Sequence, residues 1–255
     1  EELERAVTEQ SVLVSVMFVN NEIGSVEPIQ ELGERIKRKN PETVFHVDAI
    51  QAFGKYRIHP GKMKIDLLSA SGHKIHGPKG VGLLYAGEKV KFRPMILGGG
   101  QQNGMRSGTD NVPGIAGMAA AARKIYGSLE ENRAHMYRVK KKLAEGLVQM
   151  DNVVIHGMAI EEGAPHILNA SFPGVRSEVL LHALEDKGIY VSAGSACSSH
   201  KRSASATLSA IGCSRAELES AVRFSFSEYT SEEEIEETLR ALHALLPMLR
   251  KFTRR

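Results

Sequence analysis

Short apolar runs alternate with helical spacing through the first half of this chain. Residues 12–19, Val-Leu-Val-Ser-Val-Met-Phe-Val, are apolar almost throughout, which is the pattern of a buried strand. A helix is predicted ahead of it, over residues 1–10. Residues 29–39 put Ile29, Leu32 and Ile36 on one helical face. Further strands are predicted at 43–48, 65–71 and 80–85, with 92–97 as a candidate fifth. Strands interleaved with helices predict a parallel or mixed sheet covered on both faces. Ligands of such sheets gather where loops leave the carboxyl ends of the strands.

The spacing then turns helical over residues 113–150, Ala-rich at 118–123, with Gly127 and Asn132 as candidate breaks. This stretch reads as the connection between two domains. Beyond it, strands are predicted near 153–155 and 166–172, a helix at 177–187, a strand and loop at 189–199, and a helix near 204–211. Ser214 and Glu217 have the spacing of a capping box. A strand over 221–227 precedes a final helix, whose start is marked by Thr230-Ser231-Glu232-Glu233-Glu234. Ile235, Leu239, Leu242, Leu246 and Leu249 form its apolar stripe. The expected architecture is α/β: residues 1–125 in a mostly parallel sheet with helices on both faces, and residues 126–255 in a smaller α+β domain.

Composition narrows the function classes. The 255 residues are 42% hydrophobic and 25% charged, ordinary for a globular protein. No apolar run approaches the roughly 20 residues of a membrane span, and the acidic, polar start does not read as a signal peptide. Two cysteines, Cys197 and Cys213, make no disulfide framework, so a cytoplasmic location is the default expectation. A net charge of +3 gives no reason to expect nucleic-acid binding. The basic runs at 138–142 and 250–255 read as solvated helix faces and ends, with docking of an acidic partner as the alternative.

Candidate chemistry begins at Ser69-Ala70-Ser71-Gly72-His73-Lys74, where an apolar strand ends in small polar residues and a lysine. A lysine that forms a Schiff base sits at such a strand end, flanked by groups small enough for a cofactor to approach. Ser71 and His73 could donate to a phosphate. Taken alone, an exposed lysine on a surface turn is the better reading of this motif. The strand Phe45-His46-Val47-Asp48 ends in a carboxylate, with Gln51 three residues on. An Asp at the end of a buried strand needs a donor or a cation, and a pyridinium nitrogen is one such partner. A plain turn Asp is the alternative. Arg223, on the apolar run Ala221-Val222-Arg223-Phe224, needs an anion; its planar fork suits a carboxylate, with Glu217 and Glu228 as protein candidates. Cys197 lies among small residues in Ser192-Ala193-Gly194-Ser195-Ala196-Cys197-Ser198-Ser199-His200, which argues against burial. Cys213 reads as a small buried hydrophobe. A zinc set of Cys197, His200 and Cys213 lacks ligands to complete a tetrahedron, and no metal is expected.

Asp at one strand end and Lys at the next resemble the fold-type I pyridoxal-phosphate enzymes. The motifs Ser71-Gly72-His73-Lys74, Gly77-Pro78-Lys79-Gly80, Gly98-Gly99-Gly100-Gln101, Arg106-Ser107-Gly108-Thr109 and Val19-Asn20-Asn21-Glu22-Ile23-Gly24 resemble those of the cysteine desulfurase family, a class-V aminotransferase group. The resemblance covers nearly the whole chain. It implies pyridoxal 5'-phosphate carried on Lys74, with Asp48 at the ring nitrogen, Gln51 at the ring oxygen, and Ser71 and His73 at the phosphate. It implies that Thr109 reaches the cofactor phosphate of a partner subunit, hence a homodimer. Arg223 and Asn21 are then expected on the carboxylate of L-cysteine, Arg106 being a less certain site residue. The implied activity removes sulfur from L-cysteine, giving L-alanine and a persulfide on Cys197. An iron–sulfur scaffold or another acceptor protein, including one on a tRNA-thiolation route, is expected to take the sulfur.

Selenocysteine lyase, another pyridoxal-phosphate lyase, or a catalytically silent fragment that binds a scaffold are the rival readings. The resemblance also implies a sizeable N-terminal portion ahead of Glu1. That portion carries a phosphate-cradling turn at a helix N-terminus and a histidine that stacks on the cofactor ring. Neither has an equivalent in this chain, where His46 and His73 sit in other motifs. The 255 residues alone are therefore expected to bind cofactor weakly and to turn over little or no cysteine.

Overall fold

The computed structural model describes residues 1–193 and 205–251. They fall into two compact units. One comprises residues 1–19 and 27–129, the other residues 20–26 and the described residues from 130 onward.

The first unit opens with a short helix α1 (Glu2–Ala6), followed by strand β1 (Leu13–Met17) and helix α2 (Ile29–Lys39). Strands β2 (Val44–Asp48), β3 (Leu67–Ser71) and β4 (Gly82–Ala86) follow, then helix α3 (Val112–Gly127). The sheet order is β1-β2-β3-β4; the first two pairings are parallel and the last is antiparallel. This is the mixed, mostly parallel sheet expected from the sequence. The two sides of the sheet differ in cover. Phe45 and Val47 are fully buried and Leu68 and Ala70 nearly so, whereas Leu13, Met17 and Leu84 on the alternate positions are exposed.

Glu4 accepts from both Arg35 and Arg38, tying α1 to α2. Lys37 reaches Asp66 at 2.5 Å, and the same carboxylate oxygen accepts from the amide of Phe45 at 2.7 Å. The α2 backbone comes so close to the carbonyl of Met63 that a Cβ at position 33 would lie 2.2 Å from that oxygen, so only glycine fits.

Residues 92–97 do not form the fifth strand. The segment is irregular and exposed, and Pro94 removes one of the donors that a ladder would need. The helical stretch after Pro113 breaks at Ser128, directly after Gly127, whereas Asn132 continues inside the next helix.

The second unit contains helix α4 (Leu129–Leu147), strands β5 (Val154–His156) and β6 (Ile167–Ser171), and helix α5 (Ser177–Glu185). Strand β7 (Ser192–Ala193), helices α6 (Ala206–Ala210) and α7 (Arg215–Ser220), strand β8 (Ala221–Ser225) and helix α8 (Glu232–Arg250) complete it. Its sheet, ordered β5-β6-β8-β7, is antiparallel throughout. The core joins Val139, Leu143 and Leu147 of α4 to Leu168, Phe172, Leu180, Val222 and Leu242. The expected capping box of Ser214 with Glu217 forms, and the marked start of α8 carries a second one, Ser231 with Glu234. The apolar stripe of α8 is buried at Ile235, Leu242 and Leu246, and Thr238 and Leu245 join it.

Candidate active site

In the first unit, the carboxyl ends of β2 and β3 bring four of the expected residues together. Parallel register pairs Asp48 with Ser69, so Asp48, Ser69 and Ser71 share one face at one end of the sheet. Asp48 is half-buried. Its Oδ1 accepts from the amide of Ile50 at 2.9 Å, and its other oxygen has no partner among the described residues. Ser71 Oγ lies 2.7 Å from His73 Nδ1. Gln51 follows Asp48 in the turn that leaves β2.

A 3₁₀ turn, Gly72–Ile75, carries Lys74. The turn is held from both sides. Gly72 donates to the carbonyl of Val81 and accepts from Gly77, each at 2.9 Å. Ile75, 1% exposed, packs with Met118 and Ile125. The buried Lys55 reaches the carbonyl of Lys74 at 3.4 Å, while the Lys74 side chain itself is exposed. An apolar plug thus fixes the turn and leaves the amine free to react.

This donor set fits pyridoxal phosphate. A carboxylate with a spare oxygen suits a pyridinium nitrogen, a hydroxyl and an imidazole suit a phosphate, and a fixed turn presents a primary amine. Thr109 is exposed, in a loop with hydrogen bonds of its own: Ser107 Oγ donates to Gly99 at 2.7 Å, and Gln102 donates to Asp110 at 2.8 Å. Arg106 donates to the carbonyl of Ser107.

The second unit gathers another set. The side chain of Asn20 accepts from the amides of Glu22 and Ile23 at 2.8 and 3.0 Å, which curls the turn. Gly24, at φ +69°, lets the turn close against Ile167. The carbonyl of Asn21 then accepts from Arg223 Nη1 at 2.8 Å, and Ser192 Oγ accepts from Arg223 Nη2 at 3.2 Å. The carboxylate of Glu217 accepts from the amide of Ser214 in its capping box, so α7 claims it rather than Arg223. Cys197 lies outside the described residues, as do His200, Lys201 and Arg202.

Several polar partners escaped the sequence reading. Asn169, on β6, donates to the carbonyl of Glu22 at 3.2 Å. Ser205 donates to the Glu22 carboxylate at 2.5 Å. Only the Asn-Asn-Glu motif pointed to Glu22, and nothing in the sequence paired it with Ser205, 183 positions away.

A mostly parallel sheet with a lysine turn and a carboxylate at adjacent strand ends is the architecture of fold-type I pyridoxal-phosphate enzymes. The aminotransferase class-V family matches residues 1–238, and the chain belongs to that family, whose cofactor is pyridoxal phosphate. It is 41% identical to "Cysteine desulfurase, mitochondrial" of Saccharomyces cerevisiae, over 99% of this chain and 50% of that protein. It is 42% identical to "Cysteine desulfurase IscS" of Serratia proteamaculans, over 97% of this chain and 61% of that one. A solved "NIFS-like protein" superposes with a TM-score of 0.89 at 40% identity, covering 97% of this chain and 64% of its own. The apo cysteine desulfurase of Thermococcus onnurineus gives 0.85 at 28% identity, covering 97% and 63%. The chain thus spans between half and about three fifths of the length of these curated relatives.

Proposed function

We propose that the protein carrying this chain is a cysteine desulfurase, which takes sulfur from L-cysteine, releases L-alanine and loads a persulfide onto Cys197. The observation that carries the reading is the convergence of Asp48, Ser71, His73 and Lys74 at adjacent strand ends, in a chain of the class-V family. The names of the relatives support the substrate.

Lys74 would hold pyridoxal phosphate, with Asp48 at the ring nitrogen, Gln51 at the ring oxygen, and Ser71 and His73 at the phosphate. When bound, that group withdraws electrons from the substrate's α-carbon. Arg223 and Asn21 would orient cysteine through its carboxylate. Lys74 would take and return the α-proton. The Cys197 thiolate forms a bond to the substrate sulfur as the carbon–sulfur bond breaks. The electron pair goes to the substrate carbon, which takes up a proton and leaves as alanine.

Thr109, exposed on its loop, would serve the phosphate site of a second subunit, so the working form is a homodimer. An iron–sulfur scaffold or another acceptor protein would receive the sulfur. Among the described residues no helix is long and apolar enough to cross a membrane, and our reading places the protein in the cytoplasm.

The test uses the protein at its full natural length. Lys74→Ala should abolish the visible absorbance of covalently held cofactor. Cys197→Ser should keep that absorbance and lose the persulfide seen by mass spectrometry after alkylation. Normal cysteine turnover by Cys197→Ser would refute the sulfur assignment.

A further inference from the structure

Lys140 is a buried charge that the proposed reaction does not use. Its side chain leaves α4 only 3% exposed, and a buried ammonium is costly unless its hydrogens are taken up. Two carbonyls take them, Ile160 at 3.2 Å and Ala164 at 2.9 Å. One turn earlier on the same helix face, Tyr137 donates to the carbonyl of Gly163 at 3.0 Å. Helix α4 thus holds three carbonyls of one short loop. The two bonds from Lys140 are the stronger, because charge-assisted hydrogen bonds are about twice as strong as neutral ones.

That loop in turn seats residues 20–26. The amide of the fully buried Ala164 donates to the carbonyl of Gly24 at 2.7 Å. A Cβ at position 163 would lie 3.3 Å from the same oxygen and 3.3 Å from Lys140 Nζ, so lysine, loop and turn meet at one point. Further along, a Cβ at position 157 would lie 2.7 Å from the carbonyl oxygen of Ile23, and the amide of Val26 reaches Met158 Sγ at 3.3 Å. Residues 157–164 therefore cradle the turn at Ile23, Gly24 and Val26. Within the turn, Gly24 donates to the carbonyl of Asn20 at 3.1 Å and Asn20 to that of Ser25 at 2.9 Å, which makes it one piece. Its Asn21 carbonyl accepts from Arg223 Nη1 at 2.8 Å. A continuous path of hydrogen bonds and backbone runs from Lys140 through Ala164 and Gly24 to the Asn21–Arg223 pair.

We infer that Lys140 is a positioning residue for recognition of the substrate carboxylate: by fixing the loop at 160–164 it sets the place of the Asn21 turn, and with it the aim of the Arg223 fork. The inference rests on the functional reading above, in which Arg223 and Asn21 take the carboxylate of L-cysteine. A planar guanidinium pairs with a carboxylate in a narrow geometry, so a small displacement of its support weakens the pairing. Lys140 itself touches no substrate. Its effect reaches only ligands that carry the carboxylate.

The experiment compares wild type with Lys140→Met, Tyr137→Phe, Lys141→Met and Arg223→Gln, each at full natural length and loaded with cofactor. L-cysteine and cysteamine, which has the same amine and thiol but no carboxylate, are titrated against the visible absorbance of the cofactor. Lys140→Met should raise the half-saturating concentration of L-cysteine about tenfold and leave that of cysteamine within about twofold. Tyr137→Phe keeps the ring and removes one of the three bonds, so L-cysteine should weaken by about two- to fivefold. Lys141 is exposed and meets Glu161 only at 3.6 Å, so Lys141→Met should change neither ligand. Arg223→Gln should weaken L-cysteine and spare cysteamine.

A Lys140→Met protein that binds L-cysteine as wild type does, where Arg223→Gln does not, overturns this assignment and leaves the functional reading standing. Equal weakening of both ligands overturns it too, because that marks a general loss of structure, as does an equal effect from Lys141→Met. Should Lys140→Met fail to fold, Tyr137→Phe decides: unchanged binding of L-cysteine overturns the assignment. Wild-type binding of L-cysteine by Arg223→Gln overturns the carboxylate reading itself, and this assignment with it.

Discussion

Cys213 Sγ lies 3.4 Å from His156 Nδ1, and His156 Nε2 lies 2.6 Å from Ser171 Oγ. Ser171 gives its own hydrogen to the carbonyl of Glu217 at 2.8 Å, so it must accept from His156 Nε2–H. That fixes the tautomer and leaves Nδ1 to accept from the thiol. The pair looks like an activated nucleophile, but its electrostatics run the other way. Burial pushes the Cys213 thiol above its ordinary value, the nearby Glu217 charge adding to it, and burial holds the His156 imidazole below its own. The thiolate is what reacts, so Cys213 is a quiet thiol. At pH 7.5 iodoacetamide should modify Cys213 more slowly than free cysteine. Cys213→Ala should keep persulfide formation within about twofold and cost about 1 kcal/mol of stability or less. Alkylation of Cys213 at the rate of a free thiol would contradict this. The sequence placed Cys213 among buried hydrophobes, which its packing against Leu208 and Ile23 supports. The His156 contact joins residues 57 positions apart, and spacing could not have revealed it.

At the level of elements, Lys140 shows how a charged group can stabilise a loop from inside a helix. Its side chain leaves α4, 3% exposed, and donates to the carbonyls of Ile160 and Ala164 at 3.2 and 2.9 Å. The amide of Ala164 in turn donates to the carbonyl of Gly24 at 2.7 Å, so the 160–164 loop braces the turn that carries Asn21 and Glu22. Burial lowers the Lys140 amine from 10.5 to about 8, against the opposing pull of Glu161. Below pH 8 both the native and the unfolded chain hold the proton. Between pH 8 and 10.5 the unfolded chain keeps it and the native chain sheds it, so this group makes stability rise with pH, by up to about 1.4 kcal/mol per pH unit. Tyr126, raised above 10 by burial, works in the opposite sense above its unfolded value, where its contribution is lost. Lys140→Met keeps Tyr126 and removes the lysine titration. Urea midpoints from pH 7.5 to 9.5 should therefore rise in wild type relative to Lys140→Met, and parallel profiles would refute the account. The basic run that includes Lys140 read from sequence as a solvated face. That holds for exposed Lys141, whereas Lys142 pairs with Glu232 and Glu236 of α8 and Lys140 turns inward. Elements whose apolar period is regular, such as α2 and α8, were legible from sequence to within a residue or two. Residues 92–97 were not, because a short apolar run looks the same whether it pairs in a sheet or lies exposed. In the candidate site, the strand-end residues Asp48, Ser71 and Lys74 stood out through their local motif. Glu22, Asn169 and Ser205 did not, because a polar residue advertises its partner only once the fold has brought the two together.

Across the whole molecule, the four-stranded sheet presents one apolar side to solvent. Alternation puts Leu13 and Met17 of β1, Val44 of β2, Leu67 of β3 and Leu84 of β4 on the same side as Asp48 and Ser71. Leu13 is 56% and Leu84 55% exposed, whereas Phe45 and Val47 on the opposite side are fully buried. Down the middle runs a hydrogen-bonded line, Ser15 Oγ to His46 Nδ1 at 2.7 Å and His46 Nε2 to Ser69 Oγ at 3.3 Å, which orders the side without covering it. Strand β1 lies at one end of the sheet, and an end strand offers unpaired backbone groups to another chain. Elsewhere in the first unit Met95 is 96% and Leu97 78% exposed. Exposed apolar area next to an open strand edge drives association. The 255-residue polypeptide expressed alone should therefore gain mass with concentration in light scattering and bind a hydrophobic dye. Leu13→Lys with Leu84→Lys should suppress both, because a charge on an edge strand blocks pairing and both side chains are more than half exposed. A single dye-free species of monomer mass at every concentration would show that the exposed side is inert. Leu13 pairs with Val44, at the opposite end of the strands from Asp48, so in Leu13→Lys alone weak cofactor retention that persists after association is suppressed belongs to the site and not to aggregation.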